Sequence, residues 1–417
     1  MFAALLLTAA AVAPQLAEAP LTLEQAIAEA QAHAPAVAEA DANGDAAAAR
    51  TLEARAAGLP TATASASLAI GRLDPGGFFG LNAADVTPRA AQLSIEQPLF
   101  TGGRVGAAVD QARAGERAAA FGLDAVRASL AADVADAYGA VLVAEEQERL
   151  YAQLVTVTEG LARHAQDRFE VGDAPRTDVS QARARLAEAR AGLAQAQGQA
   201  LVARLIGRPP GALAPLPPPP DTPATLEAAL LAAHTNNPVI AQAQAGLDAA
   251  IAGERGARAE RLPTLGAFGE ATTVRDQFFP GYRGDSVALG VRVRWQFFDS
   301  GRTRGRISET GAEVRAARAR LDQARDGIDE AVTAAFATLS AAALVEDAAA
   351  DRAVAADEAV TNIADEVRVG QKPQIDLLDA EREALAARTA ALQARALRVA
   401  AAYQLRALLG NAATYRN

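Results

Sequence analysis

The sequence repeats itself, and this duplication restricts the possible folds more than any other feature of the chain. Residues 23–61 return 203 residues later as 226–264, with Pro35 matched by Pro238. A recurrence of this length predicts a structure built from two copies of one unit.

Further along, the two copies stay in step, but their spacing changes. The segment Leu-Phe-Thr-Gly-Gly-Arg at 99–104 returns in altered form at 297–302, 198 residues later. Five residues have therefore been gained or lost between 60 and 100, where we expect a variable loop. The copies meet near four consecutive prolines, 217–220, which exclude helix and central strand. We predict a first repeat over 20–206, a Pro-rich linker over 207–224 and a second repeat over 225–417.

The N-terminal residues 1–19 are predicted to be a signal peptide. Residues 2–12 form an apolar stretch of the length typical of such a leader, and Ala17-Glu18-Ala19 has the small-x-small form of a cleavage site. Elsewhere no run of about 18 apolar residues occurs, so we expect the chain to enter a membrane through strands rather than a helix.

Long helices are predicted in both repeats. Residues 104–169 contain no proline and are rich in good helix formers, so a continuous helix there would extend about 100 Å. Residues 303–368 have the same character, and the alanine that supplies most of the apolar fraction suits helices that pack closely. Shorter helices are predicted over about 22–58, 176–206, 225–260 and 374–409.

Between the helices, short segments alternate apolar and polar residues with a period of two, which is typical of strands with one apolar face. Strands are predicted over about 61–72, 89–100, 263–275 and 286–298. Each is near the ~9–11 residues that a tilted strand needs to cross hydrocarbon. Trp295 and Phe297 lie at one end of the last strand, as aromatic residues do at a membrane interface.

Four strands cannot close a membrane barrel, because about eight strands form the smallest closed barrel. The chain must therefore combine with copies of itself, and the strand count permits a dimer with eight strands or a trimer with twelve. A barrel of about twelve strands leaves an interior that holds water. The residues predicted to face this lumen are Gln92, Ser94, Glu96, Arg292, Arg294 and Gln296.

These segments resemble the TolC-like outer-membrane efflux proteins. The resemblance covers nearly all of the chain after the leader, and rests on 99–104 and on two Val-Gly turns, each followed by a proline and an aspartate. It rests equally on Leu21-Thr22-Leu23 with Ala26 and Pro35. The resemblance implies a mainly α fold with duplicated strand and long-helix repeats, which as a homotrimer forms a 12-stranded outer-membrane β-barrel continuous with a periplasmic α-helical barrel.

The implied function is that of the channel subunit in a tripartite efflux or type I secretion system, passively exporting small molecules or proteins. The implied location is the outer membrane of a Gram-negative bacterium, with the helices in the periplasm. The implied partners are outer-membrane lipid, a periplasmic adaptor protein and an inner-membrane pump.

The resemblance also assigns roles to the two Val-Gly turns. The implied adaptor-docking tips are Val171, Gly172, Asp173, Val369, Gly370 and Gln371. The implied periplasmic gate residues are Thr177, Asp178, Lys372, Asp376 and Asp379. Three copies would bring these carboxylates around one axis, where they would favour cations and could pair with Lys372 across a subunit boundary. The residues alone permit a simpler account, in which the glycines end one helix and the aspartates stabilise the positive end of the next.

Composition argues against other functional classes. The net charge of −10 repels nucleic-acid phosphates, and the absence of cysteine excludes disulfides and thiolate chemistry. None of the histidines, His33, His164 and His234, has a second ligand at metal-binding spacing. We therefore expect no enzymatic activity, catalytic residue, cofactor, metal or nucleic-acid partner. The alternative function is that of a soluble periplasmic coiled-coil adaptor or scaffold protein.

Overall fold

The computed structural model of the protein describes residues 20–74, 76, 83–173, 175–196, 213–277, 279 and 281–410. The predicted signal peptide, 1–19, lies outside the described residues, as does the beginning of the predicted linker.

The described part of the chain is mostly helical, with a modest amount of sheet. The helices are α1 Leu23–His33, α2 Pro35–Ala56, α3 Arg104–Glu170, α4 Arg176–Ala196, α5 Leu226–Asn236, α6 Pro238–Ala259, α7 Arg302–Arg368 and α8 Gln374–Leu408. The strands are β1 Thr61–Leu68, β2 Gly71–Leu73, β3 Ala84–Val86, β4 Arg89–Phe100, β5 Thr264–Arg275 and β6 Arg283–Arg294. Apart from β2 and β3, which occur only in the first half, the same order of elements appears in both halves of the sequence.

The two longest helices match the sequence-based expectation to within one residue. Helices α3 and α7 each contain 67 residues, and no proline interrupts either of them. By length and composition, α7 also contains an 18-residue window apolar enough to cross a membrane, with a mean hydropathy of 1.5 and 17% of the window buried. Composition alone therefore does not exclude α7 from a membrane, contrary to the expectation that only strands could enter one.

The segments predicted as single helices over 22–58 and 225–260 are each broken in two. Ala34 separates α1 from α2 and Asn237 separates α5 from α6, both with extended backbone (ψ 126° and 125°). Each precedes a proline, whose ring disfavours the helical conformation of the residue before it. The break recurs at the same place in both repeats because Pro35 and Pro238 are equivalent.

The starts of α1 and α5 are also equivalent, and both are capped by threonine. The Thr22 hydroxyl accepts from the Gln25 N–H at 3.3 Å, and the Thr22 N–H in turn donates to the side-chain oxygen of Gln25 at 3.0 Å. Thr225 accepts from the Ala228 N–H at 3.3 Å, but alanine cannot return the bond. The second copy therefore keeps only half of the capping arrangement.

Four strands form one antiparallel sheet in the order β1-β4-β5-β6. The central pair, β4 and β5, joins strands from different repeats, with Arg89 opposite Arg275 at one end. A register shift between Pro98 and Phe100 interrupts this pairing at the other end, because proline has no N–H to donate to a neighbouring strand. Strands β2 and β3 form a separate two-stranded sheet.

Two strands differ in extent from the prediction. The strand predicted over 61–72 ends at Leu68, and Gly71–Leu73 pairs with β3 instead. The strand predicted over 286–298 occupies Arg283–Arg294. Its pairing with β5 ends where Thr264, the first residue of β5, lies opposite Arg294. The period-two pattern continues beyond this point, but β5 no longer extends alongside it.

The chain forms two compact units, and each draws on both sequence repeats. One, here called the sheet unit, comprises 39–123 and 238–327; the other, here called the linker unit, comprises the described residues among 1–38, 124–237 and 328–417. The repeats detected in the sequence therefore do not correspond to the compact units.

The core of the linker unit is built around Tyr138, which is fully buried. Its hydroxyl lies 2.8 Å from the carbonyl oxygen of Leu21 and 2.6 Å from that of Ala214. Burial raises the pKa of Tyr138 to about 12, so the hydroxyl remains a hydrogen-bond donor even in alkaline solution. Arg395 donates to the carbonyl of Leu216 at 2.8 Å. These contacts attach the start of the first repeat and the end of the linker to α3 and α8.

Candidate functional site

The four-stranded sheet has one polar and one apolar face. Residues that pair directly across antiparallel strands share a face, and successive residues alternate between faces. One transverse row is wholly polar: Ser65, Gln92, Thr272 and Ser286. The next row is wholly apolar: Ala64, Leu93, Ala271 and Val287. The alternation expected from the sequence is therefore in register across all four strands.

The apolar face is exposed, contrary to what a soluble protein requires. Val287 and Leu289 are 80% and 86% exposed, and Leu93 and Ile95 about half exposed. A contiguous apolar surface of this kind marks contact with lipid or with another protein.

On the polar face, charged side chains contact residues of the neighbouring strand. The Gln92 amide donates to the Glu270 carboxylate on the neighbouring strand. The Arg292 guanidinium lies 4.4 Å from the centre of the Phe268 ring, close enough for a cation–π contact.

Five of the six predicted lumen residues share this polar face: Gln92, Ser94, Glu96, Arg292 and Arg294. Gln296 follows the end of β6, and its side-chain oxygen accepts from Arg302 at 3.1 Å. The sequence analysis missed Phe268 and Glu270 on β5, because Gly266 and Gly269 interrupt the alternation of that strand.

Aromatic residues follow β6 at the end of the sheet from which the long helices begin. Trp295 and Phe297 meet edge to face, with ring centres 6.1 Å apart. The Trp295 indole N–H donates to the Arg261 carbonyl at 3.1 Å, while the ring remains 59% exposed. A fixed polar edge and an exposed ring suit a membrane–water interface.

The turns that end α3 and α7 have the same backbone structure. Gly172 and Gly370 have φ of 79° and 76°, in the left-handed region that glycine adopts without strain. In the first turn the Asp173 N–H donates to the Arg168 carbonyl at 2.8 Å; in the second, Gln371 donates to Glu366 at 2.9 Å. Both are Schellman motifs, as the glycine pattern predicts. The adjacent Val171 and Val369 side chains are exposed.

The ion pairs at the two turns have opposite polarity. In the first, Arg168 on the helix meets Asp173 on the turn at 2.9 Å. In the second, Glu366 on the helix meets Lys372 at 2.7 Å, and hydrogen bonding to Glu366 raises the pKa of Lys372. The prediction that Lys372 could pair with carboxylates across a subunit boundary stays a prediction; within this chain it pairs with Glu366.

The predicted gate residues lie just after these turns. Asp178 and Asp376 are equivalent third residues of α4 and α8, and each backbone N–H donates to a proline carbonyl at 3.1 Å. Within the described residues neither carboxylate forms an ion pair. The Thr177 hydroxyl is 3.5 Å from the Asp178 carboxylate. Both accounts of these aspartates, gating and stabilisation of the helix end, fit this geometry.

Asp379 differs from the other two aspartates because it is paired. Arg185 of α4 lies 3.5 Å from Asp379 of α8, and Arg382 of α8 lies 3.4 Å from Glu188 of α4. Arg185 also contacts Glu188 at 3.1 Å, so the four groups form one chain of charges, here called the α4–α8 clamp. Sequence reasoning missed Arg185, because its distance from Asp379 along the chain gives no local signal.

Across the described stretches of the chain, no group of three or more His, Cys, Asp or Glu side chains could hold a metal ion. His234 pairs with Asp329, and the His33 ring nitrogen lies 2.8 Å from the Glu29 carbonyl oxygen. Both histidines therefore have structural partners.

Comparison with solved structures shows which class of protein has this fold. The chain superposes on the open-state outer membrane channel MtrE of Neisseria gonorrhoeae with a TM-score of 0.73, at 25% identity, over 93% of this chain and 88% of that one. The fold is that of an outer-membrane channel.

Comparison of sequences defines the family. The family described as outer membrane efflux protein matches residues 26–205 and 230–411, and the chain belongs to this family. It is 30% identical over 253 residues to the outer membrane efflux protein BepC of Brucella suis, covering 58% of this chain and 55% of BepC. It is 32% identical over 311 residues to the protein CyaE of Bordetella pertussis, covering 70% of this chain and 65% of CyaE. The matches thus span between about half and two thirds of these relatives.

The predicted family, fold class and outer-membrane location are confirmed by these matches. The alternative of a soluble adaptor or scaffold is set aside.

The turn glycines provide a test of local backbone strain. Replacing Gly370 by alanine meets no atom within 4 Å, so its cost is the left-handed backbone alone, about 1–2 kcal/mol. Gly327→Ala, in the interior of α7 and also in open space, should instead stabilise by about 0.5–1 kcal/mol. Thermal unfolding of the two purified variants should therefore shift in opposite directions. Equal or increased stability of Gly370→Ala would show that the turn does not hold this conformation.

Proposed function

We propose that the chain is the channel subunit of a tripartite efflux or type I secretion system, through which small molecules or proteins pass passively across the periplasm and outer membrane. The observation that carries this proposal is the exposed apolar face of a four-stranded sheet whose opposite face is polar. The family match and the channel fold support it.

The proposed assembly is a homotrimer with a twelve-stranded barrel. Within the described residues, β1 and β6 each pair on one side only, so each leaves a row of backbone groups without partners. Hydrocarbon does not tolerate such groups, and pairing β6 of one copy with β1 of the next removes them. The polar face then lines the lumen, with Gln92, Glu96 and Arg292 among its side chains.

The proposed partners are a periplasmic adaptor protein and an inner-membrane pump. The first turn, 171–173, and the second turn, 369–371, each expose a valine on the same backbone, and their ion pairs of opposite polarity give them different surfaces. We assign adaptor docking to both turns. We assign the periplasmic gate to the residues that follow them, Thr177, Asp178, Lys372, Asp376 and Asp379.

The sheet orientation can be tested with two adjacent positions of β6. Leu289→Arg places a charge on the apolar face and should abolish outer-membrane insertion, because a midplane arginine on the lipid face costs about 2–4 kcal/mol per subunit. Ala288→Arg, one residue away on the polar face, should still insert. Carbonate extraction of membranes and the conductance of purified trimers in planar bilayers measure both. Wild-type protein that is extracted as a soluble monomer would contradict the proposed function.

The α4–α8 clamp can be tested by breaking one ion pair from either side. Arg185→Gln and Asp379→Asn remove the same contact but change the local charge in opposite directions. If the clamp keeps the gate closed, both should raise the open probability, by about five-fold or less per pair because exposed ion pairs are worth roughly 0.2–1 kcal/mol. Single-channel recordings measure open probability and cation selectivity separately.

Asp351→Asn, on α7, is the control for a carboxylate outside the clamp. Opposite effects of Arg185→Gln and Asp379→Asn on open probability would show that local charge, rather than the contact, controls the gate. Wild-type currents already fully open would remove the gate assignment altogether.

A further inference from the structure

Three arginines lie in one transverse row of the sheet. Arg89 on β4 is directly opposite Arg275 on β5, and Arg275 is directly opposite Arg283 on β6. Like charges at directly opposed positions are destabilising unless anions lie between or beside them. The row therefore requires an explanation in terms of its counter-charges.

The row belongs to the apolar face. Two residues along β4, Arg89 is followed by Ala91 and then Leu93, and two residues along β6, Arg283 is followed by Asp285 and then Val287. All of these share one face because side chains alternate along a strand. The three arginines thus form the edge of the apolar surface at the end where β5 and β6 are connected.

The distance from the arginine row to Trp295 matches the thickness of a membrane. On β6 this face runs from Arg283 through Asp285, Val287 and Leu289 to Trp295, twelve residues beyond Arg283. Twelve strand residues rise about 40 Å, and a strand tilted by about 45° then crosses about 28 Å, close to the ~25 Å apolar band of outer-membrane barrels. With Trp295 at one membrane interface, the arginine row lies at the other, among lipid headgroups.

The protein supplies too few anions for the row. Asp285 holds Arg275 with contacts of 2.9 and 3.3 Å, and Arg275 also donates to the Gly284 carbonyl at 3.3 Å. Asp276 approaches Arg89 at only 3.8 Å, and the Arg89 side chain is 61% exposed. Arg283 is exposed and has no ion-pair partner in the described segments of the sheet unit. Two of the three guanidinium groups therefore remain open to an external anion.

We propose that Arg89 and Arg283 bind phosphate groups of anionic lipids in the outer leaflet, with Arg275 held between them by Asp285. The proposal rests on the proposed function, because it needs the apolar face to lie in a bilayer. Guanidinium groups suit this ligand, since their N–H groups match two phosphate oxygens at once. One row beyond Ala91 and Asp285, the apolar side chains of Leu93 and Val287 would contact the acyl chains of the same lipid, so a lipid fits this surface better than a free anion.

The test measures lipid binding to the purified trimer in a neutral detergent. Labelled lipid A, a bisphosphorylated glycolipid, is titrated by fluorescence against the wild-type trimer and the Arg89→Gln, Arg283→Gln double variant. We expect the double variant to bind roughly 10- to 30-fold more weakly, the effect of two arginines at a charged lipid surface. Monophosphoryl lipid A should bind the wild type more weakly than lipid A, and phosphatidylcholine more weakly still.

The control variant is Arg292→Gln, Arg294→Gln, which removes the same charge from the polar face of β6 and should leave lipid A binding unchanged. Asp285→Asn should have the opposite effect to the Arg89→Gln, Arg283→Gln variant. It frees Arg275 and should tighten lipid A binding several-fold. Heat-stable trimers on gels verify that each variant is folded.

Equal weakening in the two double variants would overturn the proposal, as would equal binding of lipid A and phosphatidylcholine. Displacement of lipid A by millimolar inorganic phosphate would show a site for free anions instead of lipid. A wild-type trimer that fails to conduct in planar bilayers would instead contradict the proposed function, so the two failures can be distinguished.

Discussion

The structure depends on a sheet that cannot be stable alone in either water or lipid. Its apolar face is exposed, and within the described residues its edge strands, β1 and β6, lack partners on one side. Water disfavours the face, and hydrocarbon disfavours the edges. Both problems are solved when copies of the chain join edge to edge in a membrane. The edges are unequal, eight residues in β1 and twelve in β6, so part of β6 extends past its proposed partner.

The duplication explains why the same local solutions occur twice. Pro35 and Pro238 break two helices in the same way, and Gly172 and Gly370 end the long helices with the same backbone motif. The turns of the two copies differ in charge. The first turn pairs a cation on the helix with an anion on the turn, and the second turn pairs an anion on the helix with a cation. The prolines and glycines that the backbone needs are therefore the same in both copies, while the charged side chains give each turn a different surface.

Close helix packing in the linker unit follows from its small residues. A methyl group added at Gly139 of α3 would lie 3.1 Å from the Ala396 side chain of α8, so the two backbones approach closely at this position. Small residues permit this approach, and the buried Tyr138 hydroxyl beside it ties in the linker. At this contact, glycine and alanine therefore allow the two helix backbones to pack closely.

The periodicity of apolar residues and the positions of glycine and proline were enough to predict much of the fold. The long helices begin and end within one residue of their predicted positions, because glycine turns mark both ends of each. The helix breaks at Ala34 and Asn237 were missed, although the following prolines carried the signal. The end of β6 was misplaced, because pairing with β5, and not the alternation itself, sets where the strand ends.

The site was less predictable, because its contacts join distant parts of the chain. Alternation alone was enough to place five of the six predicted lumen residues on one polar face, whereas Phe268 and Glu270 were hidden by neighbouring glycines. Arg185 contacts Asp379 only because α4 and α8 lie side by side, and the arginine row exists only once the strand register is known. Sequence patterns reveal faces of single elements, and only the structure reveals which faces meet.

In the proposed channel, alternate residues of the sheet face lipid and water. Because the chain contains no cysteine, single cysteines can be introduced and spin-labelled at each position from 286 to 293 of β6 in bilayer-reconstituted protein. Accessibility to oxygen, which dissolves in lipid, should peak at odd positions, and accessibility to a water-soluble nickel complex should peak at even positions. Accessibilities that rise and fall together, or that follow a helical period of about 3.6 residues, would show that the two faces of β6 do not separate lipid from water.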